Sequence, residues 1–210
     1  MRISEIFSSI QGEGIWLGMP SVFIRVAGCN LRCSWCDTAR ARRLGGARTM
    51  SVEEVVQGAG FWKTRHVVIT GGEPTLYGKE LIELCQALRE KGKVITVESN
   101  ATTYVGCGAD LMSLSPKLRA WHQDVLERYC EQAEKVQLKL VAGHAEEAER
   151  LWERVKDLQV PAERVFIMPR ARTRAEHMRR GKELVEWCIE HRVRFAVRAQ
   201  TLLWNNKGGR

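Results

Sequence analysis

The sequence predicts an α/β domain built on a parallel sheet, and three observations predict it. Apolar, β-branched runs alternate with amphipathic segments at roughly 25–30 residues per strand–helix unit. No linker or internal repeat interrupts the alternation, so residues 1–210 read as one domain. The stretches with the most unusual residues fall just after the apolar runs, where both open α/β sheets and β/α barrels place their ligands.

The first such strand is "SVFIRVAG" (21–28), so continuously apolar that it predicts burial on both faces. "HVVIT" (66–70), "KVITVES" (93–99), "VQLKLVA" (136–142), "RVFIMP" (164–169) and "VRFAVRA" (193–199) share the pattern, and "LMSLS" (111–115) is a weaker version. Helices fill the gaps. "GKELIELCQALREKG" (78–92) sets Leu81, Leu84, Cys85 and Leu88 at helical spacing and stops at Gly92. "HAEEAERLWERVKDL" (144–158) puts Leu151, Trp152 and Val155 on one side, and "TRAEHMRRGKELVEWCIEH" (173–191) opens with a Thr173-to-Glu176 capping box. The pattern leaves open whether the sheet is flat or curls into a barrel.

Composition narrows the class. With 44% hydrophobic and 28% charged residues the chain can bury a core and is not of disordered type. No apolar run approaches the roughly 20 residues of a membrane helix. The opening "MRISEIFSSIQGEG" is polar where an export signal would be apolar, so a cytoplasmic protein without membrane contact is expected. A net charge of +8 is compatible with nucleic acid, an acidic protein partner or anionic ligands. The densest basic patches, "RARR" (40–43) and "HMRRGK" (177–182), lack interleaved aromatics and read as solvated surface, so no direct nucleic-acid contact is expected.

Seven cysteines include one tight group, "GCNLRCSWCDT" (28–38), directly after the first core strand. Cys85, Cys107, Cys130 and Cys188 are isolated and read as small buried hydrophobes. Cys29, Cys33 and Cys36 have three readings: a helical core stripe, a zinc site, or three thiolates on an iron–sulfur cluster. Gly28 and Asn30 favour a turn over a helix, and no second ligand pair offers zinc its usual four donors. Four-iron clusters normally take four cysteines, so three would leave one iron open to another ligand.

Cys29-x3-Cys33-x2-Cys36, with Trp35 before the last cysteine, resembles the cluster loop of the radical S-adenosylmethionine superfamily. "GGEP" (71–74), at the end of the next strand, resembles that superfamily's second hallmark, which meets the methionine amino group. More narrowly, "EIFSSIQGEGIWLGMPSVFIRVAGCNLRCSWCDT" (5–38) resembles the 7-carboxy-7-deazaguanine synthase family, and the likeness extends to about Lys139. The resemblance implies a partial (β6/α3) TIM-like barrel, usually dimeric. It implies radical conversion of 6-carboxy-5,6,7,8-tetrahydropterin to 7-carboxy-7-deazaguanine, a carbon–nitrogen lyase step that releases ammonia in the queuosine and deazapurine pathway. A [4Fe–4S] cluster, S-adenosyl-L-methionine and Mg2+ are the implied cofactors. A flavodoxin-like electron donor would suit the positive surface.

By the same resemblance Cys29, Cys33 and Cys36 hold the cluster and Thr38 is a magnesium ligand. Ile10, Gln11, Gly12, Glu13, Arg25 and Thr70 meet substrate. Arg25, the lone charge in its strand, suits a carboxylate; its alternative is an internal pair with a Glu. Gly71, Gly72, Glu73, Ser115, Pro116, Lys117, Met168, Pro169, Arg170 and Ala171 meet the cofactor. Glu98, Asn100 and Lys139 look family-like without an assigned role, and no catalytic acid or base is assigned. Two departures stand out. Met168 replaces a Gln common in the family, which limits residues 168–171 to backbone contacts. A frequent C-terminal His is absent, with Gln200 nearest that place. Two rivals remain: an activase that generates a glycyl radical on another protein, and a nonenzymatic zinc or nucleic-acid module.

Overall fold

The computed structural model, described over residues 1–205, begins with a strand that the sequence pattern did not single out. This strand, β1 (Arg2–Ile10), pairs antiparallel with β2 (Pro20–Val26) and with the two-residue β3 (Arg48–Thr49). From β2 onward the sheet is parallel. β4 (His66–Gly71), β5 (Val94–Ser99), β6 (Leu111–Leu114), β7 (Val136–Ala142), β8 (Val165–Pro169) and β9 (Arg194–Phe195) follow one another. The spatial order is β3-β1-β2-β4-β5-β6-β7-β8-β9, so the sheet curls without closing, as a partial barrel does.

The strands reveal two faces with a period of two. On the outer face Val22, Ile24, Val67, Ile69, Ile95, Val97, Leu138, Leu140 and Ile167 are all completely buried under the helices. Each such Leu or Ile contributes about 1.5–3 kcal/mol by leaving water. The inner face carries Arg25, Thr70, Glu98, Ser113, Lys139 and Met168 at the alternate positions. That face is the wall of a cavity.

Five helices make the crossovers: α1 (Val52–Gly60), α2 (Lys79–Glu90), α3 (Gln123–Cys130), α4 (Ala145–Val155) and α5 (Arg174–His191), with α6 (Ala199–Trp204) after β9. β5 joins β6 without a helix. Leu81, Leu84, Cys85 and Leu88 of α2 are buried, as their spacing predicts. α1 and α3 were not anticipated. A signal for α1 was present: Ser51 and Glu54 close a full capping box, with Glu54 N–H on Ser51 Oγ and Ser51 N–H on Glu54 Oε2. At α5 the expected box is half formed. Glu176 N–H donates to Thr173 Oγ1, but the Glu176 carboxylate accepts from Arg172 N–H instead of the cap residue.

One expected strand is corrected. "VRFAVRA" (193–199) is extended only at Arg194–Phe195; the chain then leaves the sheet, and α6 starts at Ala199. The departure carries Arg198 under the sheet to bond three separate loops. The isolated cysteines behave as expected, with Cys85, Cys107, Cys130 and Cys188 buried while the 29–36 trio stays partly accessible.

Candidate active site

The site forms where β2, β4, β5 and β6 end. β2 runs through Gly28 into the cysteine loop. Gly28 N–H donates to the Ala41 carbonyl, which closes the loop at its base (2.8 Å). β4 ends in Gly71–Gly72, and here glycine is required by close approach. Gly72 N–H donates to the Val26 carbonyl (2.9 Å) and Glu73 N–H to the Gly28 carbonyl (2.8 Å). A Cβ on Gly72 would run into the Gly28 carbonyl, and one on Gly71, whose φ is +125°, into Val26. The glycines let the second loop lie directly against the first.

Glu73 is 1% exposed and its carboxylate is spent inside the protein. It accepts from Thr75 N–H (3.1 Å), Thr75 Oγ1 (2.8 Å) and Asn100 N–H (2.7 Å), joining the ends of β4 and β5. Burial nonetheless keeps its pKa above the ordinary carboxylate value. Glu73 thus holds the loop, and the surface it leaves for a ligand is the backbone of Gly71 and Gly72.

A cavity of about 270 Å³ unites most of the expected site residues. Ile10, Gln11, Gly12, Glu13, Arg25, Cys29, Cys33, Cys36, Thr38, Thr70, Gly71, Gly72, Glu73, Ser115, Lys117 and Met168 line it. The 11–13 turn lies at the far end of β2 from the cysteines, yet folds across the open side of the sheet. Ile15 N–H bonds Gln137 Oε1 of β7 (2.9 Å), and Ala199 N–H bonds the Gly12 carbonyl (3.0 Å). A neighbouring cavity of about 600 Å³ is lined by Pro116, Arg170, Arg119, Arg150, Arg180 and others, and shares Trp35, Lys117 and Val141 with the first. The Arg170 guanidinium stands 5.0 Å over the Trp35 ring and is anchored by Glu147 (2.9 Å). Pro169 and Ala171 line neither cavity. Pro169 packs towards Gly181 of α5, and the Ala171 carbonyl accepts from Arg198. The 168–171 segment therefore divides, with Met168 facing the first cavity and Arg170 the second.

Several charges in the cavity are paired. Lys139, 3% exposed, reaches Glu13 Oε2 (2.8 Å) and Glu98 Oε1 (2.9 Å). Burial opposes its charge, but the two carboxylates outweigh burial and raise its pKa above the usual lysine value. Burial likewise opposes ionised Glu13, and Lys139 and Arg198 overcome it, holding the carboxyl well below the usual range. Glu98 also accepts from Thr70 Oγ1 (2.8 Å) and Gln11 Nε2 (3.3 Å). Arg25 gives its Nε to Glu5 (2.7 Å), the internal pair its sequence context allowed, while still lining the cavity. Burial lowers the Lys117 pKa, and its Nζ bonds the Ser115 carbonyl and Oγ.

Residues 23–169 match the Radical SAM superfamily model. A 7-carboxy-7-deazaguanine synthase of Pyrobaculum aerophilum is 35% identical over the whole of this chain and 97% of its own length. One of Rhodopirellula baltica is 37% identical over 80% of this chain and 73% of that protein. The chain belongs to the 7-carboxy-7-deazaguanine synthase family. The crystal structure of QueE from Escherichia coli superposes with a TM-score of 0.75 at 25% identity, covering 94% of this chain and 93% of that one. Streptococcus suis SuiB shares the fold at TM-score 0.61 and 15% identity, over 83% of this chain and 47% of SuiB.

Membership in this radical S-adenosylmethionine family brings a [4Fe–4S] cluster and S-adenosylmethionine, and the residues fit both. Cys29, Cys33 and Cys36 face one cavity, and two N–H groups, Leu31 N (3.4 Å) and Asn100 Nδ2 (3.9 Å), donate towards Cys29 Sγ as a bound thiolate requires. Among the described residues no three His, Cys, Asp or Glu side chains converge as ligands of a single ion would. A cube of four irons asks each thiolate to reach its own corner instead. The backbone of Gly71–Gly72 borders the first cavity, and Trp35 lines both that cavity and the adjoining one. Among the described residues no helix is long and apolar enough to cross a membrane. Glu98, Asn100, Lys139 and Arg198 also line the cavity, and the sequence assigned none of them a role. Arg198 was hidden in a stretch that resembled a strand.

Proposed function

We propose that the chain catalyses the radical ring contraction of 6-carboxy-5,6,7,8-tetrahydropterin to 7-carboxy-7-deazaguanine with release of ammonia, serving deazapurine biosynthesis, and that the two adjoining cavities divide substrate and cofactor. The observation that carries this reading is the single cavity in which the 10–13 turn, the three cysteines and the Gly71–Gly72 backbone meet. When bound, the cluster and S-adenosylmethionine supply a one-electron cleavage that leaves a carbon radical able to take hydrogen from the substrate. The chain's own residues bind and orient.

Cys29, Cys33 and Cys36 hold the cluster. The methionine end of the cofactor lies along Gly71–Gly72 and Ser115, and its adenosine end reaches the second cavity between Trp35, Pro116 and Arg170. The pterin occupies the inner cavity. Gln11 and Gly12 meet its heterocycle, Thr70 its edge, and Arg25 its carboxylate by a charge-assisted bond. Thr38, whose Oγ1 stands 3.4 Å from the Gly71 carbonyl, would hold Mg2+ with substrate oxygens and water, and the ion would supply positive charge to orient the substrate. Lys139 holds Glu13 and Glu98 in place by charge-assisted bonds and so fixes the cavity wall against which the pterin lies.

A flavodoxin-like acidic protein delivers the electron, and the enzyme works as a homodimer of single-domain subunits in the cytoplasm. The test is anaerobic incubation of cluster-loaded, reduced protein with the pterin and S-adenosylmethionine, read by mass spectrometry. The expected product has lost one ammonia. Intact pterin after many cluster equivalents of reductant overturns the reading and favours an activase.

A further inference from the structure

Arg198 reaches three loops that the chain keeps far apart in sequence. Its Nε bonds Glu13 Oε1 in the substrate turn (3.1 Å), and its Nη1 the Ala171 carbonyl beyond β8 (2.6 Å). Its Nη2 bonds Asp37, the residue between Cys36 and Thr38. Arg198 is 7% exposed, so its bonds to Glu13 and Ala171 are shielded from competing water, while the Asp37 end is partly open. A planar guanidinium can serve three directions at once with fixed angles, which an ammonium on a flexible stem cannot.

Charge pairing explains only part of this arrangement: Lys139 is shared between Glu13 and Glu98, and Arg198 brings the second cation. Glu13 already receives Lys139 Nζ on Oε2 and Gln200 Nε2 on Oε1 (2.7 Å). What Arg198 adds is a rigid connection from the substrate turn to the cysteine loop and to the segment after Arg170. The Ala199 N–H to Gly12 carbonyl bond repeats the tie one residue later. We propose that Arg198 is a positioning residue that couples pterin binding to S-adenosylmethionine binding, by making the 11–13 turn and the 36–38 loop order together. The inference rests on the pterin reading above. A pterin that orders Gln11–Glu13 holds Glu13, through Arg198 holds Asp37, and so settles the loop against which the cofactor must fit. By linkage the effect is reciprocal.

The test is calorimetric titration of anaerobic, cluster-loaded protein with S-adenosylmethionine, with and without saturating pterin, and the converse titration. In the wild type the second ligand binds on the order of fivefold or more tighter than it does alone, equally in both orders. In Arg198→Met that ratio falls close to one, and Arg198→Lys recovers part of it. Iron content and the paramagnetic spectrum of the reduced cluster report that each variant is folded and loaded. Asp37→Ala cuts only the arm to the cysteine loop at a partly exposed residue, so it reports even where Arg198→Met does not fold; its ratio also falls. A wild-type ratio of one, or an undiminished ratio in either folded variant, overturns the coupling. Product formation with a ratio of one sinks this inference alone. Absence of both pterin binding and product sinks the functional reading with it.

Discussion

Replacing Lys139 by Met removes the cation from between Glu13 and Glu98 and leaves two carboxylates facing the same buried space. Breaking a buried ion pair from one side costs about 3–5 kcal/mol. Here the lower end applies, because each carboxylate keeps other donors: Glu13 has Arg198 and Gln200, and Glu98 has Thr70 and Gln11. At about 2–4 °C per kcal/mol for a chain of this size, a loss of about 3 kcal/mol lowers the melting temperature by roughly 6–12 °C. The sign of the pH dependence follows from Glu13. In the wild type its folded pKa lies below the unfolded value, so its stabilisation is complete above the unfolded value and is lost only as pH falls through the lowered one. Without Lys139, burial pushes that carboxyl back up, and protonation then relieves the variant as the medium turns acidic. The gap between wild type and Lys139→Met therefore narrows as pH falls towards the ordinary carboxylate range, measured by scanning calorimetry on cluster-loaded protein. A shift under about 2 °C, or a gap that is constant with pH, would refute the reasoning.

Cys33→Ala drops bound iron from about four per chain to a small fraction after anaerobic reconstitution, whereas Cys107→Ala, buried at 4% exposure beneath the sheet, retains it; equal iron in both would dismiss the ligand assignment. Gly72→Ala drives a methyl group into the Gly28 carbonyl, so stability falls by about 1–3 kcal/mol and cofactor affinity falls by a larger factor than pterin affinity, both read by titration. Arg25→Gln raises the KM for the pterin about tenfold or more with little change in melting temperature, since a charged hydrogen bond is worth about 1.5–3 kcal/mol and Glu5 is partly in water; an unaltered KM would show that the pair with Glu5 is the whole role of Arg25.

The fold was legible where burial on both faces makes strands continuous. "VQLKLVA" is β7 to the residue, and "HVVIT" and "KVITVES" differ from β4 and β5 only at their ends. β1 was not legible because it is half-exposed, with only the two-residue β3 on its outer side, and "RISEIFSSI" mixes polar and apolar positions without strict alternation. α1 was missed although Ser51 and Glu54 announced its start. In the site, the cysteines and the glycine pair were readable because their chemistry is carried by neighbours in sequence. Lys139, Glu98 and Arg198 act through partners up to 185 positions away, and no local pattern records such a distance. Lys139 and Glu98 left one faint trace, a charge at the inward position of an otherwise apolar strand, as did Arg25.

The union of Arg198 with Asp37 spans 161 positions of chain. At the ribosome the sulfur-bearing loop is therefore made well before the guanidinium that closes over it. Until Arg198 follows, the fastening across that loop is unmade.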